Sequence, residues 1–155
     1  MIRKHCWVLV SLVLLGCGQR TVDPVAARKL SDEFMSDLIA HRTSAAYDKM
    51  EPEFTKLVAP SELAPQVEKL FQYCGWPQDS ELKDIQNGYK IYADGHRNPT
   101  RKFIYAATTN QYAKGQCYFS VEVAPSSDRV RVTSFGPLKV TSRKLSMTRT
   151  SNITR

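Results

Sequence analysis

Phe103-Ile104-Tyr105-Ala106-Ala107-Thr108 and Cys117-Tyr118-Phe119-Ser120-Val121-Glu122-Val123 are the stretches on which the fold turns. Phe103, Tyr105 and Ala107 alternate with Ile104, Ala106 and Thr108, and Cys117, Phe119, Val121 and Val123 alternate with Tyr118, Ser120 and Glu122. Successive side chains of a strand point to opposite faces, so this period of two predicts strands. The same alternation appears on either side, as Tyr89, Ile91 and Ala93 against Lys90, Tyr92 and Asp94, and as Val130 and Val132 against Arg129, Arg131 and Thr133. Turn residues break the run at Asp94-Gly95 with Asn98-Pro99, at Asn110 to Gly115, and at Pro125-Ser126-Ser127-Asp128. Short connections of this kind predict a four-stranded antiparallel meander.

Upstream the period is helical. Asp23-Pro24 reads as a helix start, with the carboxylate capping free amides and the proline at a position where its missing N–H is harmless. Ala27, Leu30, Phe34, Leu38 and His41 then recur at three- and four-residue spacing, predicting a helix through to Arg42. A short helical turn is expected around Ala45 to Met50. Pro60-Ser61-Glu62-Leu63-Ala64-Pro65 reads as the opening turn of a further helix, with Pro65 unsuited to a helix interior. Leu63, Val67, Leu70, Phe71 and Cys74 line one side of it, and Gly75 and Pro77 end it.

Helices first and strands afterwards argue for an α+β domain, with N-terminal helices packed on a curved four-stranded antiparallel sheet. Phe34, Leu38, Ala46-Tyr47-Asp48, Phe54, Leu57-Val58, Leu63, Leu70 and the four strands resemble the cystatin-like cone of the nuclear-transport-factor-2-like proteins. The resemblance covers residues 24–137, and a helix-on-sheet layout with another strand order is the alternative.

The amino terminus carries a second resemblance. Arg3 and Lys4 precede the apolar run from Cys6 to Leu15, which is too short to span a bilayer about 30 Å thick. Leu14-Leu15-Gly16-Cys17 then resembles the lipobox of bacterial lipoproteins. That resemblance implies removal of residues 1–16 as a signal peptide, diacylglyceryl transfer to the Cys17 thiol, and acylation of the new amino terminus, with palmitate-type chains holding the protein in a membrane. Two or more chains anchor stably, since each buried methylene contributes about 0.8 kcal/mol. Gly18 rather than aspartate after the cysteine implies the outer membrane, facing the periplasm. Residues 17–23 form the lipidated cysteine and a short tether.

Charge and cysteines simplify once the signal is set apart. Of the 22 Lys and Arg residues, Arg3 and Lys4 lie in the signal and Lys139, Arg143, Lys144, Arg149 and Arg155 lie in residues 138–155, so the remainder balances the 15 acids. The net charge of +7 is thus a terminal surplus and not a basic domain face. Gly136-Pro137 marks the boundary of this polar tail, which reads as disordered. Its cations offer contacts to anionic lipid or peptidoglycan. Cys6 leaves with the signal and Cys17 is lipidated, so Cys74 and Cys117 are the pair left to form a disulfide in a compartment that permits one.

No catalytic motif stands out. His41, Asp48, Tyr47, Tyr89, Tyr105 and His96 are the acid–base candidates for the mouth of a cone, where burial shifts pKa values. Tyr89, Tyr92, Tyr105 and Tyr118 are candidates for recognition contacts. There is no ligand set at zinc spacing, no nucleophilic triad and no glycine-rich phosphate loop, so no metal or cofactor is expected. Nucleic-acid binding is disfavoured by the compartment. The chain therefore reads as an envelope lipoprotein acting as a non-enzymatic binding or assembly module, with an envelope protein or a second copy as partner. The competing reading is a small cone-fold enzyme that uses a buried Asp or His for acid–base chemistry. The enzyme requires a closed apolar cavity with a strongly shifted group, whereas the module requires an exposed apolar patch over a filled interior.

Overall fold

The computed structural model describes residues 21–72, 74–113 and 116–138. The signal segment, Cys17 and the tail cations from Lys139 onward lie outside these residues. The elements run α1 (Pro24–Ile39), α2 (Thr43–Tyr47), α3 (Pro52–Leu57), α4 (Pro60–Phe71), then β1 (Pro77–Ile91), β2 (Arg97–Thr109), β3 (Cys117–Pro125) and β4 (Val130–Leu138). The fold is α+β. The sheet is antiparallel in the order β1-β2-β3-β4. Its separation from the helices is not strict, because Met50, between α2 and α3, already makes a parallel bridge to Val132.

Asp23 caps α1 as its sequence predicts, its carboxylate accepting from the Val25 amide at 3.0 Å. The other end differs from expectation. The helix stops at Ile39, and His41 turns into the left-handed region with φ 57°. The His41 amide donates to the Leu38 carbonyl at 3.0 Å and the Arg42 amide to that of Asp37 at 2.8 Å, the paired bonds of a Schellman cap. Pro65 also departs from its predicted place, lying inside α4 because that helix begins at Pro60. The amide it lacks would have met the Ser61 carbonyl, which is exposed and open to water.

β1 is the largest departure. Alternation predicts a strand only from Tyr89, yet pairing with β2 begins at Pro77 opposite Thr109 and passes register shifts at Pro77/Asp79 and Leu82/Asp84. At the far end β4 includes Gly136, Pro137 and Leu138, so the predicted boundary with the tail falls inside the sheet. Pro137 is tolerated because β4 is the last strand of the sheet, and the Met50 bridge meets its outer side at Val132, five residues before the proline.

Helices α1 and α4 cover one face of the sheet. Phe34, Met35 and Leu38 of α1 and Leu63, Val67 and Phe71 of α4 pack against Phe103, Tyr105, Phe119, Val121, Val123 and Val132. The edge-to-face pairs Phe34–Phe135 at 5.0 Å and Phe71–Phe119 at 5.1 Å tie helices to strands. Cys74 and Cys117 stand at disulfide distance, with Cα atoms 6.1 Å apart, and fasten the end of α4 to the start of β3. On the opposite face Lys90 of β1 reaches Glu51, which lies against β4 because its backbone N–H donates a hydrogen bond to the Val132 carbonyl. In a flat sheet β1 and β4 would stand about 14 Å apart. The contact therefore requires the sheet to curl at this end.

Candidate functional site

Tyr105 is the sequence candidate that the fold buries most completely. Its place on the inner face of β2 brings its hydroxyl to α1, where it donates to Asp32 Oδ1 at 2.8 Å and lies 2.7 Å from Ser31 Oγ. Arg28 Nε holds the other Asp32 oxygen at 2.6 Å. Burial, opposed by the Ser31 hydrogen bond and reinforced by the Asp32 carboxylate, pushes the phenol well above the ordinary tyrosine range. It therefore stays protonated and acts as a hydrogen-bond donor. A shallow cleft of about 360 Å³ between α1 and β1 reaches this network, lined also by Asp79, Ser80 and Leu82.

A second cleft, of about 450 Å³, lies where the sheet curls. Tyr92, Asp94 and His96 come to it from the β1–β2 turn, Asn98 from the start of β2, Arg131 and Thr133 from β4, and Glu51 and Glu53 from the start of α3. The Lys90 ammonium lies 4.8 Å from the centre of the Tyr92 ring and also pairs with Glu51. Burial raises the Glu51 pKa, the Lys90 contact opposes the rise, and neighbouring Glu53 adds to it. Arg131 is committed to structure, donating to the Asp48 carbonyl at 2.9 Å and to Asp128 at 3.0 Å. Among the described residues no group of three or more His, Cys, Asp or Glu side chains is placed to hold a metal ion.

The remaining candidates are dispersed. His41, predicted on the apolar stripe of α1, is exposed and stacks on Trp76 at 4.2 Å between ring centres, because the chain has already left the helix. Asp48 is exposed at the end of α2, where its amide donates to the Ser44 carbonyl and its own carbonyl accepts from Arg131. Tyr47 is structural, its hydroxyl 2.7 Å from the Val58 carbonyl and 3.0 Å from that of Thr55, which clamps α3. Tyr118 is half-buried on the uncovered face of β3. Tyr92 and His96 share the second cleft with ring centres 5.9 Å apart. Tyr89 is 71% exposed on β1.

Tyr89 does not stand alone. Ile85 and Ile91 share its face of β1 and are 43% and 64% exposed. Together they form an apolar stripe on an edge strand, the kind of surface that soluble folds usually shield with charge or a covering segment. Sequence reasoning missed Ile85 because it is embedded in the polar run from Gln78 to Asn87, and missed Glu51 because only the curl of the sheet brings Lys90 to it. No family model matches this chain, nor does any curated protein or solved structure match it.

Proposed function

We propose that this chain is a lipid-anchored lipoprotein of the bacterial cell envelope. Acyl chains on Cys17 hold it at the outer membrane facing the periplasm, and its cone-like α+β domain serves as a non-enzymatic binding or assembly module. The observation that carries the reading is a filled interior beneath an uncovered apolar stripe. Phe34, Phe103, Phe119, Met35 and Leu38 occupy the space between helices and sheet with almost no exposure, while Ile85, Tyr89 and Ile91 face water on β1. Such a stripe is stabilised by contact with another surface, at about 25 cal/mol per Å² of apolar area removed from water. The tail cations add contacts to anionic phospholipid or peptidoglycan, each contributing about 1 kcal/mol near the membrane.

The anchor is tested by intact mass of membrane-extracted protein against a Cys17→Ser variant. Residues 17–155 plus acyl chains are expected for the wild type, and an unacylated mass in both would remove the anchor. The module is tested by Tyr89→Ser with Ile91→Ser, which should abolish assembly in native-gel or cross-linking assays while leaving the melting temperature within about 2 °C. Unchanged assembly would refute the role of the stripe.

The enzyme reading rests on one arrangement, the Tyr105 donor with Asp32 and Ser31 at the mouth of the α1–β1 cleft. A protonated phenol there can polarise a carbonyl, but its proton already satisfies Asp32. Tyr105→Phe separates the readings, since a module keeps its assembly and an enzyme loses turnover.

A further inference from the structure

We infer that the occupant of the β1 edge is a second copy of this chain, paired antiparallel about a two-fold axis through Asn87. The inference rests on the module reading above and names its partner. The Tyr92 amide donates to the His96 carbonyl at 2.9 Å, which sets the hydrogen-bonding phase of the β1–β2 ladder. Even-numbered residues from Gln86 to Tyr92 therefore bond inward to β2, and Ile85, Asn87, Tyr89 and Ile91 present their N–H and C=O groups to the outer edge. The Ile85 amide agrees with this phase, being held at 2.8 Å by the carboxylate of its neighbour Asp84.

Two such edges fit one another in one register above the rest. With Asn87 opposite its own copy, Ile85 lies opposite Tyr89, an apolar pair made twice by the symmetry. Asp84 lies opposite Lys90, again twice, in the closely spaced positions where cross-strand side chains approach most nearly. Sliding by two residues sets Asp84 against Gly88 or Tyr92 and loses both charge pairs, and sliding by one puts inward-bonding residues against outward-bonding ones. The three facing pairs centred on Asn87 supply about six backbone hydrogen bonds. The Tyr89 carbonyl of the copy takes over the Ile85 amide and releases Asp84 toward Lys90 of the copy. Lys90, 29% exposed, then lies between that carboxylate and its own Glu51. A two-fold axis normal to the sheet puts both stripes on one side, so each copy covers the Ile85 and Tyr89 of the other.

The test uses the full chain in its membrane. Asn87→Cys places the two thiols on the axis with Cα atoms about 5.5 Å apart, within reach of a disulfide. Lys83→Cys, in the exposed bulge, places them eight positions apart, about 26 Å. Mild oxidation should give a reducible dimer with the first and at least tenfold less with the second. Asn87→Pro removes an amide that faces the edge without breaking the β1–β2 ladder, and should weaken dimerisation at least tenfold in detergent sedimentation while the melting temperature holds. Equal cross-linking at both cysteines, or an undiminished dimer in Asn87→Pro, overturns the pairing. A photo-cross-linker at Asn87 separates the two readings. A homodimer adduct supports self-pairing, an adduct only with another envelope protein overturns self-pairing and leaves the module standing, and no adduct overturns both.

Discussion

Opening the Cys74–Cys117 link should lower the melting temperature by about 16 °C. Cys74 is half-buried just after α4 and Cys117 is fully buried at the start of β3, 43 positions along the chain. On the chain-entropy account, closing a loop of that length removes about 13 cal/mol/K from the unfolded chain, worth about 4 kcal/mol at 25 °C. Unfolding about 115 residues releases about 240 cal/mol/K, so each kcal/mol moves the midpoint by about 4 °C. Cys74→Ser isolates this contribution, because the hydroxyl falls at a half-exposed position and the Cys117 thiol stays in the core as a small apolar group. Calorimetry should find Cys74→Ser and reduced wild type together, both far below oxidised wild type. A shift under about 4 °C, or a variant that melts with the oxidised protein, would refute the premise that this bond staples α4 to the sheet.

Other perturbations separate the ionised groups from the backbone. Burial opposes the charge of Asp37, but hydrogen bonds and charge from Lys49 and Arg42 outweigh it and hold its pKa below the usual range. It therefore stabilises the fold above about pH 4, the unfolded value, and loses that effect as the pH falls through its lower folded value. Asp37→Asn should unfold at lower urea than wild type at pH 7, with the gap narrowing below about pH 4; a gap that persists there would count against the ion pairs. Glu51 has the opposite sign, because burial raises its pKa and its ionised form weighs against folding once the pH rises past about 4.5. Glu51→Gln should thus be at least as stable as wild type at pH 7, and a lower urea midpoint for it would show that the Lys90 pair outweighs burial. Gly75 sits at φ 75°, and an added Cβ would press on Asn110 Oδ1 and Thr109 Oγ1. Gly75→Ala should cost about 1–3 kcal/mol in a denaturant titration, and a loss under about 0.5 kcal/mol would remove the case for strain there.

The sequence by itself determined the α+β class, the two longer helices and the cores of three strands. Those elements carry their own periodicity, in Phe34 and Leu38, in Leu63 and Val67, and in the alternating residues of β2 and β3. It also singled out Cys74 and Cys117, though not their distance. The first half of β1 was illegible because its residues are mostly polar, and the strand exists there through pairing with β2. Pro65 inside α4 and His41 beyond α1 likewise follow from where each helix begins and ends, which packing and capping decide. Only the tertiary structure placed Tyr105 against Asp32 and curled the sheet until Lys90 met Glu51. It alone left Ile85, Tyr89 and Ile91 uncovered, because exposure depends on which residues the rest of the chain shields, and no local pattern records that.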